Sequence, residues 1–420
     1  MTIEPIEKIV SPARLAGNSA RVIENAQKLR RSVAAITLIA LVLNSLTVRS
    51  LILLAPFIRT GLGIGVDQYG YLTGALMLGL VITILPLSSL LGRLNTRIAF
   101  GTILTALGFL LFVLASQVSF YGLIAILFMI GFLLGGVVPL VNRAVAAVFD
   151  PDQRGAVLGF IFAAVPLGGF LGALVLPTLA QQFGWAVCYR LLGGLALVGG
   201  SITWFILPKD NSANSVNSAG TGLKSFLSKS FVVLTLSYGL FEIGMTAETF
   251  ITLYLVDVVK ISAVVAGVFF GLIQLTGVGG RIFWGILADR YFRNNRWWLL
   301  TFISILTALS FALLIGLNPR SPYWMIGVAM IGFGISAASS WSILSTLVAD
   351  IVGIGAVATA TAIIFFLTTV ADAGGPVLFS NVIKITHSYQ NGLIIYMLVA
   401  LVPTITFGWM ALRRKYSSQS

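Results

Sequence analysis

The chain has 420 residues, of which 58% are hydrophobic and only 9% are charged, whereas about a quarter of the residues in a soluble globular domain are charged. The apolar residues form long blocks, so the composition excludes a water-soluble domain and indicates that most of the chain lies in lipid. The net charge of +13 does not indicate nucleic-acid binding, because the basic residues lie between the apolar blocks and are not concentrated in one polar domain. One cysteine and one histidine exclude a disulfide framework and are too few for a Cys/His metal site.

Twelve apolar segments follow one another along the chain, and each is long enough to cross a bilayer as a helix of about 20 residues. The sequence therefore predicts an all-α integral membrane protein with twelve transmembrane helices. The predicted spans are residues 33–57, 69–91, 97–117, 121–148, 156–181, 187–207, 231–257, 263–287, 297–317, 323–348, 356–383 and 391–412.

The segment before the first span, residues 1–32, is polar and mixed in charge. We predict a loose cytoplasmic tail here, with a short amphipathic helix on the membrane surface as the alternative. The apolar run behind it is too long for a cleaved signal peptide.

Basic residues set the predicted orientation, because cytoplasmic loops are enriched in Lys and Arg. With the N-terminus inside, the cytoplasmic segments hold most of them, and we predict that both termini, including the tail 413–420, are cytoplasmic. The outer segments hold only Arg59, Arg190, Lys260, Arg320 and Lys384.

The longest polar break, residues 208–230, is rich in Ser, Asn and Gly. Such a segment cannot bury a core, so we predict a cytoplasmic linker between two six-helix bundles, 33–207 and 231–412. A gap-free shift of 197 residues supports a duplicated six-helix unit. This shift places Gly70 on Gly267, Gly74 on Gly271, Ser88 on Gly285, Leu90 on Leu287 and Arg93 on Arg290.

The segment after the eighth span reads GILADRYFRNNR, from Gly285 to Arg296. It resembles the loop motif of the major facilitator superfamily, in which a glycine is followed by an aspartate, an arginine and further basic residues. The first-half copy, SLLGRLNTR at 89–97, has Gly92 at the position of the aspartate. Other segments that are similar to parts of the family are DQRGAVLG (152–159), PLGGFLG (166–172) and FGWAVCYR (183–190).

The resemblance covers residues 33–412 and implies a secondary carrier that works by alternating access between two bundles. It also implies that Gly285, Asp289, Arg290 and Arg293 form a gating motif. Gly285 would allow a neighbouring helix to approach closely, Asp289 would face the positive N-terminus of another helix, and the arginines would reach carboxylates or lipid phosphates. The alternative is that the basic residues only anchor the orientation in the membrane.

Six ionisable residues lie within the predicted spans, and an unpaired charge at mid-bilayer costs about 2.5–3.5 kcal/mol even on the translocon-insertion scale. They must therefore pair with one another or face a watery cavity. By depth we expect Arg49 to be level with Glu248 and Asp372, and Glu242 to lie nearer Arg281. The six residues are Arg49, Arg143, Glu242, Glu248, Arg281 and Asp372.

Arg49 and Arg281 are the candidate counter-charges for an anionic substrate, and GGRIFWG around Arg281 resembles the eighth span of carriers for monocarboxylates, oxalate and formate. We expect Glu242, Glu248 and Asp372 to couple transport to protons, with Glu242 first because it lies nearest its helix centre. For Asp372 the alternative is a structural role. For Arg143 we predict a structural role, with Asp150 or a neighbouring helix end as its partner, and a functional role is the alternative. Further candidates for substrate contact, for which helix packing is the alternative, are Asn44, Tyr238, Gln274 and Trp341.

The sequence thus predicts a monomeric, multi-pass carrier of the plasma (inner) membrane that moves a small organic anion such as a monocarboxylate. No ATP-binding motif is evident, so protons or exchange with a counter-substrate would drive transport, and no cofactor, metal or nucleic acid is expected. We do not predict an enzyme, because His387 lies in an outer loop and no basic partner for a catalytic serine is evident. One alternative is proton-driven efflux of drug-like or cationic compounds attracted by Glu242 and Glu248; another is a transporter-like sensor or assembly protein without net transport.

Overall fold

A computed structural model describes residues 12–84, 95–117, 119–206, 228–353 and 356–417. Within these residues the chain forms helices and no strand, which confirms the all-α class. The helices of the first half are α1 (Pro12–Leu62), α2 (Val66–Ile84), α3 (Thr96–Ala115), α4 (Phe120–Leu134 and Val137–Val148), α5 (Pro151–Phe162 and Ala164–Phe183) and α6 (Trp185–Ile206).

The second half has a similar order, but two of its helices contain a 3₁₀ turn. These turns are Thr246–Phe250 in α7 and Ala337–Ser339 in α10. The helices are α7 (Lys229–Met245 and Ile251–Asp257), α8 (Ala263–Arg290), α9 (Trp297–Ile315), α10 (Tyr323–Ser336 and Trp341–Val352), α11 (Val357–Thr386) and α12 (Tyr389–Ser417).

Eleven of the described helical segments are long and apolar enough to cross a membrane. The described part of α2 ends at Ile84 and is not among them, and its predicted continuation to residue 91 lies outside the described residues. The number of twelve spans and the side of the termini therefore stay predictions. Residues 1–11 of the tail, 89–94 of the first-half motif and 208–227 of the linker also lie outside the described part of the chain.

The prediction of a loose tail is wrong for residues 12–32, because α1 is helical from Pro12. Alanine, arginine, glutamate, glutamine, lysine and leucine, which favour helices, dominate residues 20–31. The extension is also held from outside the helix: Arg30 donates to Asp150 at 2.9 Å and lies 5.8 Å from the centre of the Phe149 ring. Helix α1 therefore begins at Pro12, before the predicted first span at residues 33–57.

Glycines on α2 and α8 allow the two halves to pack closely. A methyl group at Gly70 would lie 2.1 Å from Ser380 Oγ of α11, and one at Gly267 would lie 2.6 Å from Pro177 Cγ of α5. These two glycines coincide under the 197-residue shift. Equivalent positions of the two halves therefore make equivalent contacts, α2 against α11 and α8 against α5.

On the side of the predicted outer loops, polar contacts join the two halves. Arg59 of α1 forms an ion pair with Asp257 of α7, and Tyr389 of α12 donates to the same carboxylate at 2.6 Å. Lys384 of α11 pairs with Asp67 of α2 at 3.0 Å. This end of the molecule is therefore closed across the boundary between the halves.

The ion pairs that the described residues form on the predicted cytoplasmic side have a different arrangement, because each joins residues of one half. Arg30 and Asp150 both belong to the first half, and Arg296 binds Asp289 and Asp350 within the second half. The halves are thus tied together at the predicted outer end. The space between them lies toward the predicted cytoplasmic end.

Candidate functional site

A cavity of about 970 Å³ lies between the two halves. Helices α1, α2, α4 and α5 line it from the first half, and α7 and α11 line it from the second. Most of its wall is apolar, with leucine, methionine and phenylalanine side chains. Within the described residues the charged members of the wall are Arg49, Glu242, Glu248 and Asp372.

An ion pair in this wall joins the two halves. Arg49 Nη1 lies 3.1 Å from Glu248 Oε1, and Gln274 of α8 donates its side-chain amide to the same oxygen at 3.1 Å. The Arg49 guanidinium also lies 6.0 Å from the centre of the Phe270 ring of α8. The structure thus brings Gln274 together with Arg49 and Glu248, which we expected at one depth.

Gln274 is buried, with 6% of its surface exposed, and a glycine on the facing helix makes room for it. A methyl group at Gly169 of α5 would lie 3.0 Å from the Gln274 side chain. The glycine-rich stretch PLGGFLG therefore allows an amide of the second half to reach the ion pair.

Two further carboxylates share the wall. Glu242 of α7 and Asp372 of α11 have no hydrogen bond or ion pair with other described residues, although they interact electrostatically with each other, with Glu248 and with Arg49. Arg49, Glu248 and Asp372, which we expected at one depth, line one cavity. Glu242 interacts electrostatically with Arg49. Arg281, which we expected near Glu242, interacts electrostatically with Arg49 and Tyr238.

Arg281 binds a backbone carbonyl at the break in α10. Its Nε and Nη2 both donate to the carbonyl oxygen of Ala338, each at 3.3 Å. Arg281 is an exposed residue of α8 and is not among the residues that line the cavity. Arg143, the third predicted arginine, lies in the second part of α4. Asp150, its suggested partner, forms an ion pair with Arg30.

The predicted aromatic contacts gather around the same break. The Tyr238 hydroxyl lies 2.8 Å from Ser340 Oγ, and its ring centre lies 6.1 Å from that of Trp341. Trp341 in turn meets Phe365, with ring centres 6.0 Å apart, and Phe365 lines the cavity. Trp341 thus packs against a residue of the cavity wall, and Tyr238 packs against Trp341. Neither of the two is among the residues that line the cavity.

Asn44 is the predicted substrate contact that faces the cavity from α1. Its side-chain amide donates to the carbonyl oxygen of Leu134 at 3.3 Å. Leu134 ends the first part of α4, so Asn44 satisfies a carbonyl at the break in that helix.

The motif after α8 forms a compact charged cluster at the predicted cytoplasmic end. Arg296 makes two bonds to Asp350, at 2.6 and 2.7 Å, and one to Asp289 at 3.1 Å. Partial burial lowers the pKa of Arg296, but hydrogen bonds to Asp350 and Asp289 outweigh this effect and raise it. The arginine therefore stays charged and ties the end of α8 to the end of α10.

Other parts of the motif differ from the sequence-based expectation. The guanidinium of Arg290 lies 5.7 Å from the centre of the neighbouring Tyr291 ring, and Arg293 is exposed. Gly285 was expected to allow a close helix neighbour, but a methyl group there would meet no atom within 4 Å. This expectation is wrong for the structure described, because the predicted cytoplasmic ends of the halves are not in contact at this glycine.

Sequence reasoning missed the outer pair Arg59–Asp257, although the sequence contained a signal for it. The two residues are 198 positions apart, and the pairs Arg49–Glu248 and Ile52–Thr252 are 199 and 200 apart. These separations are close to the repeat shift of 197. Contacts at such separations are expected where each half meets its own counterpart across a pseudo-two-fold axis.

Comparison with known sequences places the chain among transporters. The sequence pattern described as Major Facilitator Superfamily matches residues 37–376. The hexuronate transporter of Bacillus subtilis (strain 168) is 22% identical over 376 residues, which are 84% of this chain and 88% of that protein. An MFS-type efflux pump of Mycolicibacterium smegmatis is 28% identical over 179 residues, which are 41% of this chain and 42% of the pump.

Solved structures share the fold. A bacterial homologue of the human lysosomal transporter Spinster, in an inward-facing and occupied conformation, superposes with a TM-score of 0.80 at 14% identity, covering 92% of this chain and 97% of that one. The nucleoside transporter NupG gives a TM-score of 0.73 at 14% identity, covering 91% and 98% of the two chains.

Proposed function

The chain belongs to the major facilitator superfamily and is a multi-pass membrane transporter, and we propose that it carries a small organic anion together with protons. The name of the Bacillus subtilis relative supports this cargo, because a hexuronate is a sugar acid with one carboxylate. The proposed mechanism is alternating access, in which the two halves rock around the cavity between them.

The observation that carries the proposal is the Arg49 guanidinium in the wall of this cavity. Its contact with Glu248 joins one nitrogen to one oxygen, so it does not use the two-point fork that a guanidinium offers to a carboxylate. A substrate carboxylate can use this fork. A charged hydrogen bond of this kind contributes about 1.5–3 kcal/mol.

The charge of the wall supports coupling to protons. One arginine and three carboxylates give the wall a net charge of −2 when all four are ionised. An entering anion would be repelled by this charge. Protonation of one carboxylate halves this charge and protonation of two removes it, so uptake of the anion and uptake of protons would favour each other.

The same negative wall favours a second candidate, proton-driven efflux of a lipophilic cation. Such a cation would bind the carboxylates, and the apolar part of the wall would contact its hydrocarbon groups. The name of the Mycolicibacterium smegmatis relative agrees with efflux, although it aligns with less than half of the chain.

The Arg49–Glu248 pair allows a matched experiment, because anion transport would need Arg49 whereas cation efflux would need Glu248. The parent, Arg49→Gln and Glu248→Gln proteins would be reconstituted in liposomes and tested with labelled glucuronate and with tetraphenylphosphonium. For an anion carrier, Arg49→Gln should weaken glucuronate binding roughly ten- to a hundredfold while Glu248→Gln retains it.

For a cation exporter, Glu248→Gln should weaken binding of tetraphenylphosphonium while Arg49→Gln retains it, and tetraphenylphosphonium should be the transported probe. Arg49→Lys should restore anion binding only partly, because an ammonium lacks the planar fork. Retention of glucuronate binding by Arg49→Gln would place the anion site elsewhere. Absence of transport of either probe by the parent would favour a sensor or assembly role.

A further inference from the structure

The cavity wall has a charged end and an apolar end. Its four charged residues interact electrostatically with one another. On α1, Arg49 comes eight residues after Leu41, and on α11, Asp372 comes nine residues after Ile363. At 1.5 Å per residue these separations are about 12 and 14 Å along the helices. Both helices run outward from the predicted cytoplasmic end, so the charges lie at the deeper, closed end of the cavity.

Hydrocarbon side chains line the part of the cavity nearer the predicted cytoplasmic end. On α2, which runs inward, Leu80 comes seven residues after Thr73. On α4, Val138 comes one turn after Leu134, the residue whose carbonyl binds Asn44. We call this part of the wall the apolar vestibule, and its members are Leu80, Val138, Ile363 and Phe366.

Apolar surface in the vestibule faces the cavity. Ile363 and its neighbour Phe365 both line the cavity, and they are 39% and 38% exposed. Covering such a surface with hydrocarbon removes apolar area from water, which favours binding. The vestibule therefore suits an apolar part of a cargo.

Few polar groups of the wall can donate a hydrogen bond to a cargo. Eight uncharged polar residues line the cavity, but five of them already donate to backbone carbonyl oxygens. A hydroxyl has one proton to donate, so these hydroxyls cannot also donate to a cargo. The five residues are Asn44, Ser45, Thr73, Thr246 and Thr369.

The carboxylates of Glu242 and Asp372 can accept hydrogen bonds, but they lie at the charged end with Arg49. They would serve a group close to the carboxylate of the cargo and not the part that extends into the vestibule. A hydroxyl that leaves water without finding a partner costs free energy. A body with hydroxyl groups all around it therefore does not match this wall.

We propose that the cargo is an amphiphilic monocarboxylate, whose carboxylate binds Arg49 and whose hydrocarbon body, a ring or a branched chain, occupies the apolar vestibule. This inference rests on the proposed anion transport and names the class of anion. It agrees with the name of the Bacillus subtilis relative in the carboxylate only, because a hexuronate has a polyhydroxylated body. The carboxylate would point toward the closed outer end and the hydrocarbon toward the predicted cytoplasmic end.

Two acids with the same carboxylate and a six-membered ring allow a matched test. Cyclohexanecarboxylate has a hydrocarbon ring, whereas glucuronate has a hydroxylated one. Binding to the purified parent at pH 7 is measured with labelled benzoate and with labelled glucuronate, each displaced by the unlabelled acids. Cyclohexanecarboxylate should bind at least about tenfold more tightly than glucuronate, which corresponds to one hydroxyl left without a partner.

A series of straight-chain acids tests the vestibule by length. From acetate to butyrate and hexanoate, binding should tighten about fourfold with each added methylene that the wall covers. Arg49→Gln should weaken binding of every member, because all of them share the carboxylate.

Leu80→Asn places an amide in the vestibule with little change in size. It should weaken binding of cyclohexanecarboxylate roughly tenfold and leave binding of acetate unchanged. Leu80→Met, which conserves volume and apolar character, is the control and should keep the preference of the parent. If Leu80→Asn does not fold, Val138→Thr adds a hydroxyl to the same surface and should act in the same direction.

The inference is overturned, and anion transport stands, if the parent binds glucuronate as tightly as cyclohexanecarboxylate or if chain length has no effect. An unchanged preference in a folded Leu80→Asn or Val138→Thr protein also overturns it. If Arg49→Gln binds cyclohexanecarboxylate as well as the parent does, the proposed orientation is wrong. A parent that binds none of these acids contradicts the proposed function itself, and this inference with it.

Discussion

Arginine–aspartate pairs occur at both ends of this molecule, but they join different parts of it. At the predicted outer end, Arg59 and Asp257 connect the first half to the second. At the predicted cytoplasmic end, Arg296 connects Asp289 and Asp350, which belong to the same half. Similar chemistry thus holds the halves together at one end and stabilises a single half at the other.

The glycines show the same contrast. Gly70, near the outer end, has Ser380 Oγ and the Pro376 carbonyl within 2.6 Å of where a methyl group would be, whereas Gly285 has open space around it. In an alternating-access carrier the two ends exchange these states. The comparison therefore predicts which substitutions act on the closed outer end and which act only when the other end closes.

The largest effect is expected from Gly70→Ala. The added methyl group would clash with the backbone carbonyl of Pro376, so the helices must move apart, and overpacking of this kind costs about 1–3 kcal/mol. The closed outer end should open more often. The measurement is the rate at which an impermeant maleimide applied from the outside labels Thr249→Cys in a Cys188→Ala background.

Gly285→Ala is the matched control, because its methyl group meets no neighbour in this structure. It should leave the stability of the described state unchanged, and it should hinder only a state in which the cytoplasmic ends approach each other. Equal labelling rates in the Gly70→Ala and Gly285→Ala proteins would refute the contrast between the two ends.

An effect of similar size is expected from Asp257→Asn, which removes the charged partner of Arg59 and the acceptor of Tyr389. Hydrogen bonds to charged groups contribute about 1.5–3 kcal/mol, so outside labelling of the same Thr249→Cys reporter should rise roughly thirtyfold if about 2 kcal/mol is lost. Asp350→Asn breaks a pair of the same kind within one half and should not change this rate. A similar rise in both variants would show that the outer pair does not hold the halves together.

The smallest effect on stability is expected from Asp289→Asn. The Asp289 side chain is 76% exposed, and exposed ion pairs contribute less than about 1 kcal/mol. The melting temperature should therefore change little, while turnover in counterflow should fall if the motif acts when the cytoplasmic end closes. Normal turnover in Asp289→Asn would contradict the gating role that the motif implies.

Much of the architecture was accessible from the sequence, because long apolar blocks in a chain with few charges leave little choice except membrane helices. The breaks in α7 and α10 were not predicted, since a 3₁₀ turn within an apolar block has no distinct pattern. For this reason the partner of Arg281, the carbonyl of Ala338, was also missed. Depth counting placed Arg49 near Glu248, but it could not identify the amide of Gln274, whose position depends on how α5 packs against α8.

The separation of 199 residues between Arg49 and Glu248 has a consequence for the number of binding events in one cycle. In a dimer of identical subunits, every contact beside the two-fold axis occurs twice. Under the shift of 197 the counterpart of this ion pair is Leu51 with Thr246, because 248 − 197 = 51 and 49 + 197 = 246, and these residues line the same cavity without any charge. Joining the halves in one chain has allowed the two sides to differ. One guanidinium and one carboxylate therefore lie where a symmetric assembly would place two of each, so the anion site that we propose would bind one anion rather than two.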